Sequence, residues 1–171
     1  SPYGIAKQSS FNLVKLYRDV YQLKCVTGVL FNHESNLRDE TFVTQKIIKG
    51  AKDIIRSNSK SLKLKLGNIK VMRDWGWAPE YVEAIQLITY AKDLKDQVIC
   101  TGKAISLELF IEKVFTYHAL NWKEHIAIDK NFYRPNEIKK SYGNPKPLYE
   151  ELGWAAQEKI DSIIKKLIEL S

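Results

Sequence analysis

The feature that most limits the fold is a short, almost unbroken apolar run. Residues 24–31 read Lys-Cys-Val-Thr-Gly-Val-Leu-Phe. A strand with one wet face alternates apolar and polar side chains; this run does not, so it fits a strand buried in a parallel sheet. Parallel strands need long crossovers, usually helices, and the flanking segments have helical spacing. Residues 4–23 carry Phe11, Val14, Tyr17 or Val20, and Tyr21 as one stripe. Residues 42–56 place Val43, Ile47, Ile54 and Ile55 inward. Residues 60–66 alternate lysine with leucine, so 62–66 reads as a half-buried strand that Gly67-Asn68 ends.

The pattern continues to the end of the chain. Ala78-Pro79-Glu80 opens a helix with proline in its first turn, running to about residue 92. Residues 97–101 form a strand. Ser106 caps a helix that has Glu108 in its first turn and reaches about Leu120. Residues 126–128 are a brief strand, 132–137 a loop, and 147–152 and 157–170 helices. Alternating strands and helices make the class α/β.

Two places look fit for chemistry. Asn32-His33-Glu34-Ser35 follows the apolar run, and ligands of open α/β sheets sit beyond the carboxyl ends of strands. A polar loop, 36–41, comes next. Arg73-Asp74-Trp75-Gly76-Trp77 admits two readings. The tryptophans fill a seam and Arg73 pairs with Asp74, or Arg73 presents its fork of donors to a phosphate.

Charge and composition narrow the partners. The chain has 171 residues, enough for one domain with a core, and its 44% apolar and 27% charged content is that of an ordinary globule. The net charge of +7 is spread along the chain without a nucleic-acid module pattern. It reads as surface charge plus an anionic ligand, and DNA binding rests on charge alone. No apolar run approaches the roughly 20 residues of a membrane span, and the first residues lack the pattern of a signal peptide. Cys25 and Cys100 sit in apolar runs without metal-site spacing, as expected of a reducing, cytoplasmic setting and of no metal.

Tyr3 and Lys7 are four residues apart, one turn of a helix. An ammonium beside a phenol favours the phenolate, which can take a proton from a sugar hydroxyl while hydride leaves the same carbon. The spacing is common: Tyr142 and Lys146 repeat it, but Gly143-Asn144-Pro145 between them breaks a helix.

The runs SPYGIAK, GVLFNHES, FVTQKI, LGNIKVMRDWGWAPEYVEAI, FYRPNEI and LGW, in this order over nearly the whole chain, resemble the carboxyl half of the GDP-mannose 4,6-dehydratase family, of the extended short-chain dehydrogenases/reductases. The resemblance implies the carboxyl-terminal part of a Rossmann-type parallel sheet plus a smaller α/β substrate-binding domain. Residues 1–35 would end the dinucleotide-binding domain. Residues 36–171 would be mainly the substrate domain, with some segments returning to the sheet. It implies NADP as cofactor, GDP-mannose or a related nucleotide sugar as substrate, GDP-4-keto-6-deoxymannose as product, and a homo-oligomer when complete. Tyr3 then deprotonates the carbon-4 hydroxyl, and Lys7 assists it and holds the nicotinamide ribose. His33 and Arg38 lie near the cofactor, Asn32 and Lys46 near the diphosphate, and Arg73, Arg134 and Glu137 in the nucleotide wall.

Departures accompany the resemblance. Where the family continues Pro-Arg-Arg-Gly after its His-Glu-Ser, this chain has Asn36-Leu37-Arg38-Asp39, and Gln45 stands where arginine is common. The family loop binds cofactor across a subunit contact, so its change bears on cofactor grip and assembly. No glycine-rich phosphate turn follows a strand, and the family's upstream hydroxyl and glutamate have no counterpart. The expectation is a chain that begins in mid-enzyme, lacks the amino-terminal half, exposes the edge of the 24–31 strand, and does not turn over substrate by itself. The alternatives are another nucleotide-sugar dehydratase or epimerase, and a non-catalytic nucleotide-sugar-binding or partner-dependent remnant.

Overall fold

The computed structural model describes residues 1–57 and 61–170. Lys60, first of the lysine–leucine run, lies outside the described residues. In chain order the elements are α1 (Pro2–Asp19), β1 (Gly28–Leu30), β2 (Asn32–Glu34), α2 (Val43–Ser57), β3 (Leu64–Leu66), β4 (Met72–Trp77), α3 (Ala78–Tyr90), β5 (Gln97–Ile99), β6 (Ala104–Ser106), α4 (Leu107–Tyr117), α5 (Trp122–His125), β7 (Ile126–Ile128), a 3-10 turn (Lys130–Phe132), β8 (Lys140–Ser141), α6 (Lys146–Leu152) and α7 (Ile160–Leu170).

The apolar run becomes strand only from Gly28, and the backbone then pairs twice. β1 runs parallel to β5, with Val29 opposite Val98. One residue later β2 runs parallel to β4, with Asn32 opposite Trp75 and Glu34 opposite Trp77. Asn32–Glu34 is therefore strand, rather than the end of one. The segment changes partners at Phe31, whose N–H still donates to Ile99 O at 3.0 Å. β4 is the hub: β6 joins it antiparallel and β8 parallel. β3 and β7 form a separate parallel pair.

Two apolar cores hold these layers. In the first, Ile47, Ile48, Ala51 and Ile54 of α2 pack with Trp75 and Trp77 of β4, Phe110 and Val114 of α4, and Ile163 and Leu167 of α7. The Trp75 and Phe110 rings lie 5.4 Å apart in a tilted pair. The second joins Tyr81, Ala84 and Ile88 of α3 to Ile99, Leu148 and Trp154. Each such side chain contributes about 1.5–3 kcal/mol on burial.

Three expectations are corrected. The inner face of α2 is Thr44, Gln45, Ile47, Ile48, Ala51 and Ile54, whereas Val43 and Ile55 are exposed. Two polar bonds set this rotation: Thr44 Oγ1 donates to Glu34 Oε2 at 2.8 Å, and Gln45 Nε2 donates to Ser35 O at 2.9 Å. The Arg73–Asp74 pairing is not formed. Neighbours on a strand point to opposite faces, so Asp74 turns inward to Thr101 and Gly102. Arg73 Nη1 instead donates to Met72 O and Ile138 O, each at 2.8 Å. The tryptophans do fill the seam.

The third concerns α1. It begins as its sequence suggests: Ser1 Oγ caps it, accepting from Gly4 N at 3.1 Å, with Pro2 in the first turn. It stops at Asp19, and Gln22 takes a positive φ of 56° in the turn toward β1. None of its residues is buried. Phe11 and Val14 are half-buried, while Tyr17, Val20 and Tyr21 are exposed. Its long-range anchor is Arg18, whose two terminal nitrogens reach Asp96 at 2.7 and 2.9 Å. Asp96 also accepts from Thr27 N at 2.7 Å, so one carboxylate ties α1, the approach to β1 and the start of β5. Among the described residues β1 pairs with β5 alone, and Val29 and Leu30 are exposed. The apolar strand edge read from the sequence is present.

Candidate functional site

A cleft of about 690 Å³ opens along β2 and β4. Its wall draws on separate segments: Tyr3 of α1, Asn32 and Glu34 of β2, Arg38, Phe42, Thr44 and Lys46 around the start of α2, Gly67 and Asn68 after β3, Arg73 and Trp75 of β4, and Phe132, Arg134 and Glu137 after β7. Among the residues expected to act, Tyr3, Asn32, Arg38, Lys46, Arg73, Arg134 and Glu137 share this one cleft. A larger, open hollow of about 920 Å³ lies by the amino ends of β1 and β5, among Lys24–Val26 and residues 89–95, and holds none of them.

Lys7 and His33 stand outside the wall. The Lys7 Nζ is 5.5 Å from the centroid of the Tyr3 ring, as the helical spacing requires, and Tyr3 is 72% exposed. His33 lies between Asn32 and Glu34 on a strand, so its side chain takes the opposite face. There its ring packs on Tyr81 at 5.0 Å, with Nδ1 2.8 Å from Phe31 O. A carbonyl only accepts, so Nδ1 carries the hydrogen of this bond.

The wall is cationic in sum. Arg38, Lys46, Arg73 and Arg134 face it, against Glu34 and Glu137. Burial pushes the Arg73 guanidinium below the usual arginine range, Glu137 draws it back up, and Arg134 opposes it. All three line the same cleft. Aromatic rings hold the flexible cations. Lys46 Nζ is 4.7 Å from the Phe132 ring centroid, and the Arg38 guanidinium carbon is 3.8 Å from that of Phe42. Gly67 lets the two walls approach, since a Cβ there would meet Phe132 O at 2.7 Å. Donors of this kind suit a diphosphate.

Glu34 and Thr44 are two bonded wall residues among those to which the sequence assigns no role. Glu34 is 2% exposed, and burial pushes its carboxyl above the usual range, against the Thr44 hydrogen bond and the Arg38 charge, which draw it down. The signal was available: on a strand, residues two apart share a face, so Asn32 and Glu34 belong together once 32–34 is read as strand.

Among the described residues no group of three or more His, Cys, Asp or Glu is placed to hold a metal ion. Among them, too, no helix is long and apolar enough to cross a membrane. Among the described residues no glycine-rich turn of the kind that receives a dinucleotide pyrophosphate follows a strand.

The architecture is the carboxyl part of a Rossmann-type dehydratase and epimerase fold. dTDP-glucose 4,6-dehydratase from Bacillus anthracis, in complex with NAD, superposes with a TM-score of 0.85 at 16% identity, covering 99% of this chain and 51% of that one. RMD from Pseudomonas aeruginosa, complexed with NADPH, gives 0.84 at 16% identity, covering 99% and 55%. Within that class the chain belongs to the GDP-mannose 4,6 dehydratase family, whose model matches residues 1–167. GDP-mannose 4,6 dehydratase 1 of Arabidopsis thaliana is 37% identical over 169 residues, 99% of this chain and 46% of the relative. The chain thus spans about half the length of the curated relatives it matches.

Proposed function

We propose that these residues form the nucleotide-sugar-binding part, and supply the tyrosine–lysine pair, of an NADP-dependent enzyme that converts GDP-mannose to GDP-4-keto-6-deoxymannose. The observation that carries the reading is the shared cleft: Tyr3, Asn32, Lys46, Arg73 and Arg134 come from five separate segments and line one cationic wall. Lys46, with Asn32, takes the diphosphate, while Arg73, Arg134 and Glu137 take the nucleotide. Tyr3 accepts the proton of the carbon-4 hydroxyl, with the Lys7 ammonium set against its ring. The cofactor's contribution is reversible hydride acceptance. Lys7, His33 and Arg38 are assigned to its nicotinamide side.

The division at residue 35, between the end of a dinucleotide-binding domain and a substrate domain, belongs to this reading, as does assembly into a homo-oligomer. The acid–base group for loss of water across carbons 5 and 6 is assigned outside residues 1–171. The test joins this segment to an amino-terminal half of a relative and follows GDP-mannose by mass. Turnover is expected, with Tyr3→Phe reducing it about 10²- to 10⁴-fold, the usual share of general acid–base catalysis. The 171-residue chain alone is expected to give none. Full activity in Tyr3→Phe sinks the assignment.

A second reading has its own support, because the proposed diphosphate and nucleotide contacts all lie within this chain. In it the chain binds a nucleotide sugar without transforming it. A joined enzyme that binds GDP-mannose yet never turns it over would favour it.

A further inference from the structure

Glu34 is the most deeply buried charged group in the cleft wall, with no part in the proton or hydride chemistry assigned above. A carboxylate so placed costs free energy unless it is paired. Its partners show what it holds. Oε2 accepts from Thr44 Oγ1 at 2.8 Å and stands 3.5 Å from Arg38 Nε. The Arg38 Nε is itself buried and reaches no hydrogen-bond acceptor at normal distance. Arg38 Nη1 reaches back to His33 O at a long 3.4 Å, and the guanidinium lies flat enough on Phe42 for a 3.8 Å approach to its centroid. Thus Glu34 on one side and Phe42 on the other grip Arg38, whose side chain remains 24% exposed toward the cleft.

We propose that Glu34 is a positioning residue that sets the Arg38 guanidinium to receive an anionic phosphate group in the cleft, which gives Arg38 to the nucleotide phosphate in place of the nicotinamide side, because it lines the same wall as Lys46 and Arg73. The proposal rests on the reading of the cleft as a nucleotide-sugar site. Loop 35–42 holds neither helix nor strand; without Glu34 the Arg38 side chain keeps the long bond to His33 O and the Phe42 ring but loses the charged contact that orients it, and ordering it on binding costs affinity. Arg38 faces it from the loop and Thr44 from α2, with Lys46 farther along the same helix. β4 sets the uncharged Trp77 opposite it and Arg73 in the shared wall. Tyr81 of α3 packs on His33, on the other face of β2.

The test titrates GDP into the 171-residue chain by calorimetry, for the wild type, Lys46→Ala, Arg38→Ala, Glu34→Gln and the double variant Glu34→Gln/Arg38→Ala. Arg38→Ala should weaken GDP roughly tenfold, as for one lost charge-assisted contact. Glu34→Gln keeps an acceptor for Thr44 but loses the charge, and should weaken GDP roughly threefold to fivefold. The double variant should be no weaker than Arg38→Ala, and the ratio of wild-type to Glu34→Gln affinity should shrink toward one as acid protonates Glu34. Additive losses, or a ratio independent of pH, overturn the proposal. Absence of GDP binding, or binding indifferent to Lys46→Ala, defeats the nucleotide-sugar reading itself. The clasp is then judged by NMR titration of the Glu34 carboxyl. Its pKa should rise in Arg38→Ala, and no movement means Glu34 does not hold Arg38.

Discussion

Asp74 and Thr101 are bonded twice: the Thr101 N–H donates to Asp74 Oδ1 at 3.0 Å, and the Thr101 hydroxyl donates to the same oxygen at 2.6 Å. Gly102 N adds a third bond, to Oδ2, at 2.8 Å. Asp74 is fully buried. It therefore fixes the end of β5 against β4, the strand that carries Arg73 and Trp75 into the cleft. Asp74→Ala leaves the Thr101 and Gly102 N–H groups without their acceptor and the Thr101 hydroxyl with only the long bond to Lys103 O, and should cost about 3 kcal/mol or more. Denaturant unfolding measures it; a loss under about 1 kcal/mol, that of an ordinary surface change, contradicts the role.

Gly76 and Tyr81 give a paired prediction. A Cβ at 76 would lie 2.2 Å from Tyr81 Cε2, so Gly76→Ala forces the ring out of the second core and should destabilise by several kcal/mol, at or above the roughly 1–3 kcal/mol typical of overpacking. The buried Tyr81 hydroxyl has no hydrogen-bond partner, and burial pushes it well above the usual phenol range. Removing it relieves an unpaired polar group, so Tyr81→Phe should be neutral or stabilising. Melting temperatures of the two variants should move in opposite directions from each other, or Tyr81→Phe should not move.

Glu34 gives stability an unusual acid side. Its folded pKa is raised by burial above the ordinary value of 4.5. The folded state thus binds the proton more tightly, and stability falls as pH rises from that value through the folded one. In Glu34→Gln this slope should vanish, and the variant should be at least as stable as wild type at neutral pH. Denaturant midpoints across acid pH check it. A wild-type slope that persists in Glu34→Gln assigns the effect elsewhere.

Asp96 has the opposite sign. Its hydrogen bond to Arg18 holds its carboxyl below the ordinary 3.8, against a smaller desolvation effect. The pairing contributes fully above that value and is lost as pH falls through the folded one. Because no residue of α1 is fully buried, it should fray from the body in this acid window before the two cores unfold. Hydrogen exchange by mass spectrometry, with Asp96→Asn as the comparison, detects it: the variant should show the same loosened α1 at neutral pH.

How far the sequence carried the account depends on what each pattern reports. Ser106 and Glu108 are local signals, and the α4 cap formed as read, with Ser106 Oγ accepting from Leu109 N at 3.1 Å. The 126–128 strand and the helix at Pro79 were equally local. Val43 and Ile55 were misjudged because hydrophobicity cannot see that Thr44 and Gln45 have bonding partners 10 residues back. The Arg73–Asp74 pairing failed because strand geometry, not charge, directs neighbouring side chains. In α1 the helix was legible but the burial of its stripe was not, since burial depends on what lies against it. Motif order pointed to the cleft residues that come from distant segments, which no periodicity brings together. Glu34 lies in the stretch the sequence marks for chemistry, but it receives no role there, because the face it shares with Asn32 is evident only once 32–34 is a strand.

The proposed role of this cleft is to receive a nucleotide diphosphate through Lys46, Arg73 and Arg134. The most direct measurement is calorimetric titration of GDP into the chain, with Arg134→Ala and Lys46→Ala beside the wild type and melting curves to show that each variant is folded. The account predicts one site, weakened roughly tenfold by either substitution and by added salt. A folded chain that binds no GDP, or binds it equally well without these cations, would contradict it.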